Sequence, residues 1–215
     1  IKNKVKKIIF FSSGSVYGVK KEKKVTEDLK LNPISVYNKT KMIAERIFLS
    51  YKNQIDIKCL RPATVSGFSK RLRLDLTVNK LTFDAFYKKK IFVDGGKQVR
   101  PNIQIQDILR IIDHFCLAKK KFKHNIYNIG FENLSILQIA QKIKKKIGAK
   151  IIIKKSRDIR SYRQDSSRLI KTGFKPKYNV DYAIEQLSNY FKKTQKKKFG
   201  INNFNLKKMT KLKIN

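Results

Sequence analysis

The chain has 215 residues, of which 41% are hydrophobic, and this fits one domain or one domain with a small lobe. It has no early apolar run long enough for a membrane span or a secretory signal, and its two cysteines are far apart, so we expect a cytoplasmic protein without membrane contact. A net charge of +37 would suit nucleic acid, but the lysines outnumber the arginines and spread along the whole chain, which favours the amino-acid usage of an AT-rich genome.

The first third of the chain predicts a strand, a helix and a second strand. Residues 5–13 form a short apolar run closed by Ser and Gly, which is typical of a buried strand. After a polar loop, Asn32 followed by Pro33 at the first helical position predicts a helix that reaches residue 51. Residues 55–60 predict the next strand, which ends at Pro62 because proline cannot continue a central ladder.

The remaining two thirds continue the alternation. Helical patterns cover residues 74–90, 105–118 and 135–148, the last with Ser135 as N-cap and Gly148 as its stop. Strand patterns cover residues 91–96, 124–130 and 150–155, and two short helices are predicted near Ser166 and Asp181. Strands that alternate with helices predict an α/β fold with a mainly parallel sheet.

Two short stretches suggest chemistry. Tyr37 and Lys41 are four residues apart on a predicted helix, so they share one face, and a nearby ammonium favours the phenolate that could act as a general base. This spacing alone is weak evidence, because a solvated lysine beside a surface tyrosine gives the same pattern. The serines of "SSGSVYG" add weight, since hydroxyls at the carboxyl end of a parallel strand lie where such sheets bind ligands.

Together, "SSGSVYG" and "LNPISVYNKTK" resemble the extended short-chain dehydrogenase/reductase family of sugar-nucleotide epimerases, dehydratases and reductases. The similarity continues in "LRPATVSG", in "VRPNIQIQDIL" with Gln104 where histidine is usual, and in "YNIG"; it covers Val5 to about Leu187. The resemblance implies the C-terminal part of a Rossmann-like doubly wound parallel sheet plus a small α/β substrate-binding lobe. It also implies NAD, or NADP, as cofactor, a nucleotide-sugar substrate and a homodimer.

The resemblance also assigns roles to residues near the two motifs. It implies that Tyr37 is the catalytic base and that Lys41 is its partner, which also holds the nicotinamide ribose. Ser13 would hydrogen bond the reacting sugar hydroxyl, Ser15 would touch the substrate, and Pro62 would lie against the nicotinamide.

Further residues are implied to hold the substrate. Arg100 and Arg160 would grip the diphosphate or ribose, which suits a guanidinium's two-pronged pairing with phosphate. Thr64 stands where many members have a substrate-binding asparagine. Asn79, with Arg71 and Arg73 close by, lies in the substrate loop, and for these two arginines a surface ion pair is an equal alternative.

The residues next to the predicted catalytic serine narrow the chemistry. Members that dehydrate the sugar carry Asp-Glu where this chain has Gly14 and Ser15, and this loop has no cysteine of the kind found in members that epimerise and reduce. This leaves 4-epimerisation, or a ketone reduction by an NADP-dependent reductase. An inactive remnant or binding module of the same fold is the other alternative. His114, Cys116 and His124 show no zinc spacing, so we expect no metal.

The 215 residues contain no glycine-rich phosphate loop, which the family places before the first of the strands predicted here. We therefore expect a fragment of a longer product that binds NAD poorly by itself. Residues 1–65 would be the C-terminal part of the NAD-binding Rossmann domain, and 66–193 the substrate-binding lobe interleaved with the remaining Rossmann elements. Residues 194–215 would be a basic, disordered tail.

Overall fold

The computed structural model describes residues 3–155, 161–194 and 199–212. Its strands are β1 (Lys7–Phe11), β2 (Asp56–Pro62), β3 (Thr64–Ser66), β4 (Lys90–Asp94), β5 (Val99–Gln104), β6 (Ile126–Ile129), β7 (Glu132–Ser135) and β8 (Lys150–Lys154). Its helices are α1 (Val36–Ser50), α2 (Thr77–Lys88), α3 (Ile105–Cys116), α4 (Ile136–Ile147), α5 (Ser167–Ile170), α6 (Val180–Thr194) and α7 (Asn205–Lys211). Short 3-10 turns cover Gly14–Tyr17 and Ile201–Asn203.

The described strands form three small sheets. The first is parallel and has the order β1-β2-β6, the second has the order β3-β5-β7, and the third pairs β4 with β8 in parallel. The pair of β5 and β7 is antiparallel. This arrangement confirms the predicted α/β fold with mainly parallel strands.

The first sheet is covered by apolar side chains on both faces. Ile9 and Phe11 of β1 pack with the core that includes Ile108 and Phe115 of α3, whereas Ile8 and Phe10 pack with the group that includes Phe48 of α1. The five central residues of β2 are all buried, but every residue of β1 is only partly buried. Among the described residues β1 pairs with β2 alone, which places it at the edge of the sheet. Its apolar composition is nevertheless that of an interior strand.

A second core lies where α2, α4 and α6 pack around β4. It includes Val78, Leu81, Ile91, Ile139 and Ile184, all less than a tenth exposed. Helix α4 begins and ends as the sequence predicts: the Ser135 side chain accepts a hydrogen bond from the Gln138 backbone, and Gly148 ends the helix in the left-handed conformation at φ 78°.

Several boundaries differ from the sequence-based expectation. Helix α1 begins at Val36 rather than at Pro33, because the Ser35 side chain accepts the hydrogen bond from the Asn38 backbone that caps the helix. Helix α6 has 15 residues and is longer than the short helix predicted near Asp181. The described part of the segment expected to be a disordered tail, residues 199–212, forms a 3-10 turn and α7. Within the described ranges, no helix is long and apolar enough to cross a membrane.

Candidate active site

A hydroxyl-rich turn follows directly after β1. Ser13 caps the 3-10 turn, and its side-chain oxygen accepts a hydrogen bond of 3.2 Å from the Ser15 backbone N–H. A Cβ at position 14 would lie 3.0 Å from the Pro62 carbonyl oxygen, which is tighter than ordinary contact. The glycine therefore lets the turn lie closely against the end of β2.

The two serines connect the turn to helix α1. Ser13 Oγ lies 2.7 Å from Ser15 Oγ, and Ser15 Oγ donates to Asn38 Oδ1 at 2.7 Å. A serine hydroxyl has one proton, so Ser15, which donates to Asn38, must accept the proton of Ser13. The hydroxyl chain thus ends on α1 at Asn38, the residue that follows Tyr37 in the sequence.

Tyr37 and Lys41 lie on the first two turns of α1. Tyr37 is 56% exposed, and its hydroxyl makes no hydrogen bond to a described residue. The Lys41 ammonium donates to the Phe11 carbonyl at 2.7 Å and lies 6.0 Å from the centre of the Tyr37 ring. Since Phe11 is the last residue of β1, Ser13, Tyr37 and Lys41 come together around the carboxyl end of this strand, where parallel α/β sheets bind ligands.

A buried polar network holds this end of the sheet together. The Arg61 guanidinium donates to both carboxylate oxygens of Glu45 on α1 and to the Tyr17 hydroxyl, the latter at 2.7 Å. Tyr17 in turn donates to Asn128 Oδ1 at 2.7 Å, and Gln164 Nε2 donates to the Arg61 carbonyl at 2.7 Å. These contacts join the turn after β1, helix α1, strands β2 and β6 and the segment at residue 164.

Burial in this network makes the Tyr17 hydroxyl harder to ionise. It raises the pKa of Tyr17 to about 12, against the opposing effect of the Arg61 charge and hydrogen bond. Tyr17 therefore stays protonated near neutral pH and serves as a hydrogen-bond donor. Burial also raises the pKa of Glu27, whose carboxylate accepts a 2.8 Å hydrogen bond from the Asn128 backbone.

Pro62 and Thr64 lie at the point where the chain passes from the first sheet to the second. Pro62 is the last residue of β2 and is aligned with Ile129 of β6, and Thr64 opens β3 opposite Asn102 of β5. Both are only partly buried.

The residues expected to hold the substrate belong to other elements. Arg100 lies on β5 and donates to the Val99 carbonyl at 3.2 Å, and the Val99 backbone N–H donates to Ser161 Oγ at 3.0 Å. Arg160 lies outside the described residues. Because the segment that binds Val99 through Ser161 also reaches Arg61 through Gln164, it links the start of β5 to the hydroxyl-rich end of the first sheet.

Hydrogen bonds and one ion pair hold the loop from Gly67 to Leu76 in place. The amide of Asn79 is buried, accepts from the Gly67 backbone at 3.0 Å and donates to the Arg73 carbonyl at 2.9 Å. Arg73 forms a two-pronged ion pair with Asp75, and Arg71 donates to Asn205 Oδ1 at 2.7 Å. Asn79 and both arginines are thus engaged within the protein.

Comparisons with known proteins identify the family of the chain. The model of the NAD dependent epimerase/dehydratase family matches residues 1–130, which is more than half of the chain. The chain belongs to this family of NAD-dependent enzymes.

Individual relatives are similar over part of their length. UDP-glucose 4-epimerase of Lactobacillus helveticus is 32% identical over 164 residues, which cover 65% of this chain and 49% of that protein. GDP-6-deoxy-D-talose 4-dehydrogenase of Aggregatibacter actinomycetemcomitans is 28% identical over 61% of this chain and 45% of that protein.

A solved structure is similar over most of this chain. UDP-glucuronic acid 4-epimerase from Bacillus cereus, in complex with UDP-glucuronic acid and NAD, is 30% identical with a TM-score of 0.75. The alignment covers 87% of this chain and 62% of that one. The chain therefore spans about half to just under two thirds of the length of the relatives that it matches.

Reasoning from the sequence missed Asn38 and the buried pair of Arg61 and Glu45. One signal was present: a charged residue inside the apolar run of β2 calls for a buried partner, and Glu45 stands in the middle of a helix that covers this strand. Nothing in the sequence indicates that Asn38 accepts the hydroxyl of Ser15, since the two are 23 positions apart.

Proposed function

We propose that this chain carries the catalytic residues of an NAD-dependent sugar-nucleotide epimerase that acts at C4 of the sugar. The main support is the exposed Tyr37, one helical turn from Lys41, whose ammonium binds the carbonyl of Phe11 at the end of the strand that leads to Ser13. Two of the similar proteins described above are 4-epimerases of UDP-sugars, which supports the position of the reaction and a UDP-sugar as substrate.

In this proposal Tyr37, as phenolate, accepts the proton of the sugar 4-hydroxyl. The Lys41 ammonium stabilises the phenolate by its charge. Ser13, released from Ser15, hydrogen bonds the same sugar oxygen and orients it. When bound, NAD would supply the hydride acceptor and donor for C4 of the sugar. Tyr37 then gives the proton back, so the sugar is inverted with no net oxidation.

The residues present fit one end of this cofactor. Tyr37, Lys41 and Pro62 surround the end of the first sheet where a nicotinamide ribose would lie, and the Lys41 ammonium can exchange its bond to the Phe11 carbonyl for ribose hydroxyls. The 215 residues contain no glycine-rich loop for the pyrophosphate. We therefore expect these residues alone to hold the cofactor weakly.

We retain the domain division at residues 65/66 and 193/194 as part of the proposal. From Thr64 the chain leaves the first sheet and forms β3, β4 and β5. It then returns to the first sheet through α3 and β6, which supports an interleaved lobe. We also propose a homodimer through α1, on which the apolar residues Val36, Ile43 and Ile47 are more than half exposed. The two cysteines are free, which supports the cytoplasm as the site of the reaction.

The test replaces Tyr37 by Phe in the gene product that carries these residues, with UDP-glucose and UDP-glucuronic acid as substrates. We expect turnover to fall by about 10²–10⁴ with little change in substrate binding, because only the proton acceptor is lost. Tyr51→Phe is the matched control, since Tyr51 is also exposed and lies at the other end of α1. Equal activity in the two variants would refute Tyr37 as the base.

The relative that is a 4-dehydrogenase of a GDP-sugar makes a reductase the second candidate. A 4-epimerase returns each hydride to its substrate, so it turns over with a trace of NAD, whereas a reductase consumes one NADH or NADPH per product. Following absorbance of the reduced cofactor during turnover separates the two. Sugar-nucleotide binding without turnover in the wild-type protein would instead indicate an inactive binding module.

A further inference from the structure

The C-terminal residues 199–212, which we call the strap, pack along the loop of residues 67–76 between β3 and α2. The Leu74 backbone N–H donates to the Asn203 carbonyl at 2.8 Å, and the Asn203 side chain donates to the Leu72 carbonyl at 2.7 Å. Asn203 therefore pins the strap to the loop at two points, Leu72 and Leu74.

Aromatic side chains anchor the strap. Phe199 and Phe204 pack against the cluster that contains the buried Leu72, Leu74 and Phe191. The ring of Phe199 lies 5.5 Å from that of Phe83 on α2 and 6.0 Å from that of Phe191 on α6, both nearly edge to face. The strap therefore closes an apolar cluster that the loop, α2 and α6 would otherwise leave open on one side.

A continuous hydrogen-bonded path leads from the strap to Asn79. The Asn205 backbone N–H donates to Asp75 Oδ2 at 2.9 Å, and Arg73 Nε donates to Asp75 Oδ1 at 2.7 Å. The Arg73 carbonyl accepts from Asn79 Nδ2 at 2.9 Å. Loss of the strap would free the Asp75 end of this path and loosen the loop as far as Asn79.

We propose that the strap is a positioning element that holds the loop of residues 67–76 in the conformation that receives the sugar nucleotide. This inference rests on the proposed function and on the family resemblance, which implies that Asn79 and the neighbouring arginines lie in the substrate loop. The strap lies beyond the residues that the family model matches. The strap acts through the loop and takes no part in the chemistry.

The test uses Asn203→Ala, which removes one hydrogen bond, and Phe204→Ala, which removes one anchor. The control is Met209→Ala, because Met209 is an exposed residue of α7. Hydrogen–deuterium exchange reports on the loop, and titration with UDP-glucose reports on binding. For both strap variants we expect exchange at residues 68–76 to rise about tenfold and exchange in β2 to stay constant. We expect the KM for UDP-glucose to rise about fivefold to tenfold with kcat nearly unchanged.

The two readouts separate the possible failures. Unchanged exchange in the loop would show that the strap does not hold it and would overturn the inference. Faster exchange with an unchanged affinity for UDP-glucose would also overturn it, because the strap would then be only structural. A wild-type protein that binds no sugar nucleotide would refute the proposed function and with it the role in binding, while exchange would still decide whether the strap holds the loop.

Discussion

Gly14 stands between the two serines of the candidate site, where family members that dehydrate the sugar carry an acid. The tight approach of the Pro62 carbonyl leaves little space for a side chain, and Gln164 Oε1 would lie 3.3 Å from an added Cβ. An aspartate at this position would have to displace the end of β2. The turn therefore has room for a glycine and not for an aspartate.

The same contact predicts the effect of Gly14→Ala. We expect a loss of about 1–3 kcal/mol in the free energy of unfolding, since the turn must move away from β2. Gly200→Ala is the control, because an added Cβ there meets nothing within 4 Å. Urea titration of both variants gives the measurement. A Gly14→Ala protein as stable as the control would show that the turn is looser than its contacts indicate.

The buried pair of Arg61 and Glu45 makes a second prediction. Glu45→Gln leaves the Arg61 charge without its counter-charge inside the protein, so we expect a loss of about 3–5 kcal/mol in the free energy of unfolding.

The matched control for that pair is Glu185→Gln, which breaks an exposed pair with Lys146 at 2.9 Å. Its cost should be within about 0.5 kcal/mol. Chemical denaturation at constant salt measures both changes. Similar small losses would mean that water reaches Arg61 and replaces the carboxylate.

At the scale of single elements, the N-terminus of α6 depends on Glu132. This carboxylate accepts the Val180 backbone N–H at 2.5 Å. Burial raises the pKa of Glu132, and the bond to Val180 and the charge of Lys142 only partly offset this, while Asp181 adds to it. The pKa in the folded state is therefore above that in the unfolded state. The stability that protonation contributes is present below the unfolded pKa and is lost as the pH rises through the folded one.

We therefore expect Glu132→Gln, which keeps the acceptor but not the charge, to be more stable than the wild type at pH 7. The advantage should shrink as the pH falls through the raised pKa of the folded state and should be gone below about 4.5, where the wild-type carboxyl is protonated in both states. Thermal unfolding of both proteins from pH 4 to pH 8 tests this. An advantage that does not change with pH would place its origin outside the carboxyl charge.

The elements also show which parts of this fold can be predicted from sequence. Helix α4 was predictable because its cap, apolar period and glycine stop are all local. Strands β5 and β7 were not, since β5 contains Pro101 and gains its hydrogen bonds from residues about 30 positions away. The lysine-rich composition of residues 194–215 predicts disorder, whereas two phenylalanines decide the packing of the strap.

The candidate site likewise contains features that can be predicted from the sequence and features that cannot. The serines after β1 and the spacing of Tyr37 and Lys41 are local patterns, and their proximity follows from the order of a parallel sheet. The pair of Arg61 and Glu45 and the bond from Ser15 to Asn38 are side-chain choices between elements, and such choices depend on rotamers that a single sequence does not specify.

At the scale of the whole molecule, 52 basic residues face only 15 acidic ones. A net charge of this size destabilises the compact state by self-repulsion, and salt screens it over a Debye length of about 10 Å at 0.1 M. We expect the unfolding temperature to rise by several degrees when sodium chloride is raised from about 0.02 M to about 0.3 M. Calorimetry in the two buffers measures it. A fall in that temperature would mean that attractive ion pairs outweigh the repulsion.

The exposed edge of β1 has a practical consequence for handling the 215-residue chain. A strand with apolar residues on both faces, and with one edge that no described residue pairs, is a template onto which another copy can add. Three lysines lie at the N-terminal end of this strand: Lys4, Lys6 and Lys7. Repulsion between these lysines in different copies opposes such growth. Salt, which raises the unfolding temperature, also weakens this repulsion between copies. Preparations should therefore be most heat-resistant and most prone to fibrous or amorphous precipitation in the same buffers, and purification at low ionic strength would trade some thermal stability for a clear solution.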